Sequence, residues 1–143
     1  MKKILIAIDD SPVAAKVTTI GYNLAKELNA EVALLSVVDT TIIMTAGGIS
    51  PSELAGITKS ELKKHQNMLI ETIIQKDIWT FIEKGDPFET IIKVARQWRA
   101  DTIVIGTHGR TGLKHLVMGS VAEKVIRHAY MPVLVVPIYN YYA

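Results

Sequence analysis

Five short, strand-length runs of apolar residues alternate along this chain with segments of helical character, and that alternation restricts it to very few folds. Lys3 to Ile8 reads Lys-Ile-Leu-Ile-Ala-Ile, with no polar alternation, which is the signature of a strand buried on both faces. Glu31 to Val38, Trp79 to Glu83, Thr102 to Ile105 and Val133 to Val136 have the same character. Between the first two, Ser11-Pro12 supplies an N-cap and a proline at the first helical position. Val17, Ile20, Leu24 and Leu28 then recur at helical spacing, predicting a helix from about Pro12 to Leu28. Asp86-Pro87-Phe88-Glu89 is a capping box opening a helix that carries Ile91, Ile92, Val94, Ala95 and Trp98. Ser120-Val121-Ala122-Glu123 is a second box, and Pro132 stops its helix near Ala129 or Tyr130. Thr40 to Ser52 is expected to form a mobile loop, and Ser60 to Gln75 is helical by composition.

Strands alternating with helices imply a parallel sheet covered on both sides, joined by right-handed crossovers. The expected class is α/β, a three-layer doubly wound sandwich of five strands and about four helices. The 143 residues suit one domain, 1–143, large enough to bury roughly 68 to 70% of its unfolded surface. In such sheets ligands bind outside the carboxyl ends of the strands, where the strand order reverses.

Composition narrows the chemistry. With 49% hydrophobic and 21% charged residues, the chain is globular rather than disordered. The absence of cysteine removes disulfides, thiolate metal sites and cysteine nucleophiles, and fits a reducing cytoplasm. Only five apolar residues precede Asp9 after Met1-Lys2-Lys3, too few for a signal-peptide core or a membrane span, so a soluble, unprocessed, cytoplasmic protein is expected. Residues 1–90 hold nine basic and twelve acidic side chains, net −3, whereas residues 91–143 hold seven and two, net +5. That imbalance is too small for a nucleic-acid footprint but favours a phosphorylated small ligand.

The loop after the fourth apolar run concentrates the candidates. It runs from Gly106 to Ser120, with glycines at 106, 109, 112 and 119 that let amides approach a ligand closely. Ser120 opens a helix whose unpaired amides favour an anion, and His108, Arg110, Lys114 and His115 add positive charge. A plainer reading stands beside this one, since strand-to-helix loops commonly contain glycine and serine is an ordinary cap. Length favours function, because compact domains rarely keep so long a connection without one. Neither a Walker A loop nor a GxGxxG fingerprint is present, and no GxSxG elbow occurs. His108 and His115 without cysteine or a placed carboxylate make no metal site. Trp79, Trp98 and Phe81 are expected as core or helix-packing residues, and His65 and His128 on the surface.

Gly106, Gly109, Gly119 and Ser120 fit Gly-x2-Gly-x9-Gly-Ser/Thr, and with this the chain resembles the nucleotide-binding members of the universal stress protein family. The resemblance spans the opening Ile-Leu-Ile-Ala-Ile-Asp-Asp-Ser, Ser36 to Asp39, Gly85-Asp86-Pro87, the long loop and Pro132 to Pro137. It implies a parallel sheet in the order 3-2-1-4-5 with ATP over strands one and four. Gly109, Gly119, Ser120 and Val121 would hold phosphates, Asp9 would face the ribose, Ala7 and Val37 would border the adenine, and Gly106 would shape the turn. Asp9 and Asp10 keep a second reading, as residues that start a turn. The two point to opposite sides and do not chelate one metal, so magnesium would arrive on the phosphates.

The function expected is an ATP-binding stress-response protein acting as a nucleotide-dependent switch or interaction module with little turnover, because the loop offers donors but no obvious base beyond His108 or Asp9. Two rivals are a slow ATPase or self-phosphorylating enzyme and a nucleotide-free dimeric module. A homodimer is expected through Val133 to Val136, an apolar edge strand, extended by the tail with Tyr139, Tyr141 and Tyr142. No nucleic-acid or membrane partner is expected.

Overall fold

The apolar run at Lys3–Ile8 forms β1, the central strand of a five-stranded sheet, in a computed structural model that describes residues 2–43, 51–73, 77–107 and 118–137. In chain order there follow α1 (Ala14–Glu27), β2 (Glu31–Asp39), a single turn α2 (Thr40–Ile43), α3 (Pro51–Glu71), β3 (Trp79–Gly85), α4 (Pro87–Trp98), β4 (Thr102–Gly106), α5 (Ser120–His128) and β5 (Val133–Val136). Every strand pair is parallel and the order is β3-β2-β1-β4-β5, as expected. The order reverses at β1, whose partners are β2 on one side and β4 on the other.

Successive residues on a strand face opposite sides, so each central strand feeds two cores. Ile4, Ile6, Ile8, Val32, Leu34 and Val104 pack with Ala14, Val17, Tyr22 and Ala25 of α1 and Leu69 of α3. Leu5, Ala7, Ala33, Leu35, Ile103 and Ile105 pack with Ile91, Val94 and Ala95 of α4 and Ala122 and Val125 of α5. Leu5, Ile6, Leu34 and Leu35 lose all exposure, each worth about 1.5–3 kcal/mol. Asp86 caps α4 as its sequence indicates, accepting from the Glu89 amide at 3.0 Å.

Several expectations need correction. α1 begins at Ala14, behind Val13, and Ser11 is not its cap. The Ser11 amide is drawn to Asp9 Oδ1 at 2.9 Å, and the Ser11 carbonyl accepts from Ala14, so Asp9 to Val13 makes a turn before the helix. The buried side of α1 is built largely on small residues, leaving Ile20 and Leu28 partly exposed. The cause is close approach: a Cβ on Gly21 would lie 2.6 Å from Ile6 Cδ1. Helix α3 begins at Pro51, inside the segment expected to be loop or unassigned, and ends at Glu71 rather than Gln75. Residues 44–50 lie outside the described set. Trp79 is 57% exposed because β3 is an edge strand, whereas Phe81 and Trp98 meet edge to face at 6.1 Å.

Helix α3 is tied to the sheet by a polar contact within the core. Gln66 is fully buried, and its Nε2 donates to Ser36 Oγ and to the Phe81 carbonyl, both at 3.0 Å. His128 is exposed, while His65 is half-buried with its Nδ1 enclosed. Among the described residues no helix is long and apolar enough to cross a membrane.

Candidate functional site

The carboxyl ends of β1 and β4 lie side by side, because Ala7 pairs with Ile105 and this register carries Asp9 to the level of Thr107. Beyond β4 the backbone is held by two hydrogen bonds. The Thr107 amide donates to the Val136 carbonyl at 3.0 Å, and the Thr107 carbonyl accepts from the Gly119 amide at 2.8 Å. The second bond closes the long connection and sets the start of α5 against the end of β4.

Among the described residues no side chain caps that helix start. Gly119, in extended conformation at φ −62° and ψ 154°, is the N-cap, and Glu123 is the first residue to donate to a helix carbonyl, reaching Gly119 at 3.0 Å. The expected capping box therefore does not form: Ser120 is the first helical residue rather than the cap. With Gly119 as N-cap, the amides of Ser120, Val121 and Ala122 precede the first intrahelical bond, at the positive end of the helix dipole. Three donors pointing off a helix end can receive an anion.

One face of the sheet leads to this end. Ala7 and Val37 belong to the α4 and α5 side, where Val121 and Met118 also pack. Ala7 is buried and Val37 and Val121 are half-buried, so an apolar surface ends beside these first-turn amides. Asp9 follows β1 directly and its Oδ1 accepts from Ser11, which makes the turn-starting role a structural fact. The Ser11 hydroxyl is buried and has no hydrogen-bond partner among the described residues.

Of the ten site residues expected from sequence, the structure gathers Ala7, Asp9, Val37, Gly106, Gly119, Ser120 and Val121 at the carboxyl edge. His108, Gly109 and Arg110 lie outside the described residues. Thr107 was not singled out, since it acts through its backbone. Among the described residues no group of three or more His, Asp or Glu side chains is placed to hold a metal ion.

Comparison with known proteins agrees with this architecture. The model of the universal stress protein family matches residues 1–137. The chain is 39% identical over 140 residues to universal stress protein MJ0531 of Methanocaldococcus jannaschii, covering 94% of this chain and 81% of the relative. The solved structure of hypothetical protein MJ0577 from the same organism superposes with a TM-score of 0.84 at 32% identity, over 97% of each chain. A family protein from Arabidopsis thaliana, solved with AMP bound, shares the fold at 19% identity, with a TM-score of 0.62 over 96% of this chain and 92% of its own. The family match across nearly the whole chain, the identity to MJ0531 and the shared strand order make this protein a member of the universal stress protein family.

Proposed function

We propose that the chain binds an adenine nucleotide, ATP, at the carboxyl edge of β1 and β4 and serves as a nucleotide-dependent switch or interaction module with little turnover. The observation that carries this reading is the uncapped start of α5, held against β4 by the bond between Gly119 and Thr107. Phosphates would take the amides of Ser120 and Val121, together with Gly109 in the loop, while His108 and Arg110 would add charge. Gly106 would shape the turn, Asp9 would face the ribose, and Ala7 and Val37 would border the adenine. The AMP held by the Arabidopsis protein of the same fold supports an adenine nucleotide as the ligand class. Magnesium would be carried by the phosphates.

Low turnover follows from the chemistry of the edge. Hydrolysis needs a group that orients water and a charge clamp on the terminal phosphate. Asp9 already spends one carboxylate oxygen on the Ser11 amide. A homodimer through β5 belongs to the same reading, because β5 ends the sheet and its Leu134 is 37% exposed.

The test is calorimetric titration of Mg-ATP into nucleotide-stripped protein, at two temperatures because the binding enthalpy can pass through zero. A dissociation constant of about 10 μM, or about −7 kcal/mol, is expected. The absence of heat at both temperatures from folded protein rejects the reading and leaves the nucleotide-free module. Labelled-phosphate release or transfer at more than trace rates favours the enzyme over the switch.

A further inference from the structure

The outward side of α4 carries a groove that the nucleotide reading does not use. It encloses about 430 Å³ and is lined by Phe88, Glu89, Ile92, Lys93, Arg96 and Gln97. These are two adjacent rows at four-residue spacing, 88, 92, 96 and 89, 93, 97, so the groove follows the helix for more than two turns. Its described walls come from this one helix. An open trough of that kind encloses little of a small molecule but accepts a chain segment lying along it.

Two side chains from the end of α5 and just beyond it complete the surface. The His128 ring lies 5.5 Å from that of Phe88. Tyr130 is 75% exposed, and the Arg96 guanidinium stands 4.4 Å from its ring centroid. A large aromatic ring held in place by arginine in open solvent is the kind of anchor that dominates protein interfaces.

Charge selects the occupant. Lys93 and Arg96 line the groove against one carboxylate, Glu89. The one acidic side chain of α5, Glu123, is engaged by Arg127 at 2.9 Å. We propose that this groove docks an acidic, amphipathic segment of a partner protein, its apolar side on Phe88, Ile92 and Tyr130 and its carboxylates on Lys93 and Arg96.

The experiment titrates ¹⁵N-labelled full chain with a 14-residue helical peptide bearing leucines along one side and glutamates elsewhere, and with the same peptide carrying lysines for glutamates. Saturable amide shifts confined to residues 88–97 and 128–130, with the acidic peptide alone, are expected. The double reversal Lys93→Glu and Arg96→Glu should weaken the acidic peptide by about tenfold and turn preference toward the basic one. Lys93→Glu alone, at an exposed position, should move affinity the same way by a smaller factor should the double variant fail to fold. The proposal is overturned by an absence of saturable shifts, by equal binding of both peptides, or by shifts gathered at Ser120 to Ala122 or along β5.

Discussion

The Gly119 amide donates to the Thr107 carbonyl at 2.8 Å, while the amide of the same threonine donates to Val136 at 3.0 Å. One residue thus joins the end of β4, the start of α5 and the edge strand β5. Both ends of the long connection are held by backbone, so the free amides of α5 keep their place relative to β1. A preorganised set of donors loses little entropy on receiving an anion. The same residue puts the candidate ligand edge one peptide away from the strand expected to pair with a second copy.

Gly119→Val tests the cradle without testing the fold. At φ −62° and ψ 154° Gly119 occupies backbone space open to any residue. The variant should melt within about 2–4 °C of the parent, as befits a change of about 1 kcal/mol. A valine side chain at this position would stand where a phosphate approaches the amides. Mg-ATP affinity should drop at least about tenfold by calorimetry, some 1.4 kcal/mol. Parent-like affinity in the folded variant would show that the phosphates bind elsewhere.

Asp9→Asn separates the two roles of that residue. Its Oδ1 accepts from Ser11 at 2.9 Å, a bond that an amide oxygen can replace. Stability should therefore change by less than about 1 kcal/mol, whereas a ribose hydroxyl bound to a full carboxylate gains about 1 kcal/mol more than one bound to a neutral acceptor. Nucleotide affinity should drop about fivefold by calorimetry while the urea midpoint holds. A lowered midpoint with unchanged affinity would assign Asp9 to the turn alone.

Strands β1, β2 and β4 were legible because burial on both faces leaves an apolar run with few alternatives, and the bounds of β5 follow directly from its sequence. The cap of α4 was legible too, since Asp86 and the Glu89 amide stand three residues apart in one local motif. The buried face of α1 was legible only in part. Val17 is buried and Leu24 packs against the core, but Ile20 and Leu28 stay exposed, and the rest of the buried face is Ala14, Thr18, Gly21, Tyr22 and Ala25, most of them small residues that permit close approach. Trp79 reads as core until the strand order places β3 at an edge, a property no local pattern encodes. In the site, glycine spacing pointed to the connection between β4 and α5, which the structure places at the carboxyl edge of the sheet. The Thr107 to Gly119 bond left no trace in the sequence, because it joins two main-chain groups, and that is also why Ser120 was mistaken for the cap.

Gly85 predicts a stability effect with two separable parts. Its φ of +146° is strained for any residue with a side chain, and a Cβ there would lie 2.6 Å from Thr90 Oγ1. Gly85→Ala should cost about 2–3 kcal/mol, read as a lower urea midpoint at unchanged slope. In the background of Thr90→Ala, which removes the hydroxyl, the same substitution should cost less, leaving only the backbone part. An equal cost in both backgrounds would mean that the contact with Thr90 relaxes freely.

The edge of β5 can be probed without disturbing the sheet behind it. Each strand residue turns its N–H and C=O toward the same side, and the Pro132 and Val136 carbonyls accept from Ile103 and Thr107 of the neighbouring segment. The even-numbered positions therefore serve β4, and the peptide groups of Val133 and Val135 face the open edge. Proline is tolerated at an edge position whose N–H points outward, since no ladder bond is lost. Val135→Pro should then keep the circular dichroism of the parent while removing the donor that a second copy would use. Light scattering should give twice the chain mass for the parent and the chain mass for the variant at the same concentration. A dimeric Val135→Pro protein would move the interface away from β5, and a monomeric parent would dismiss self-association through this edge.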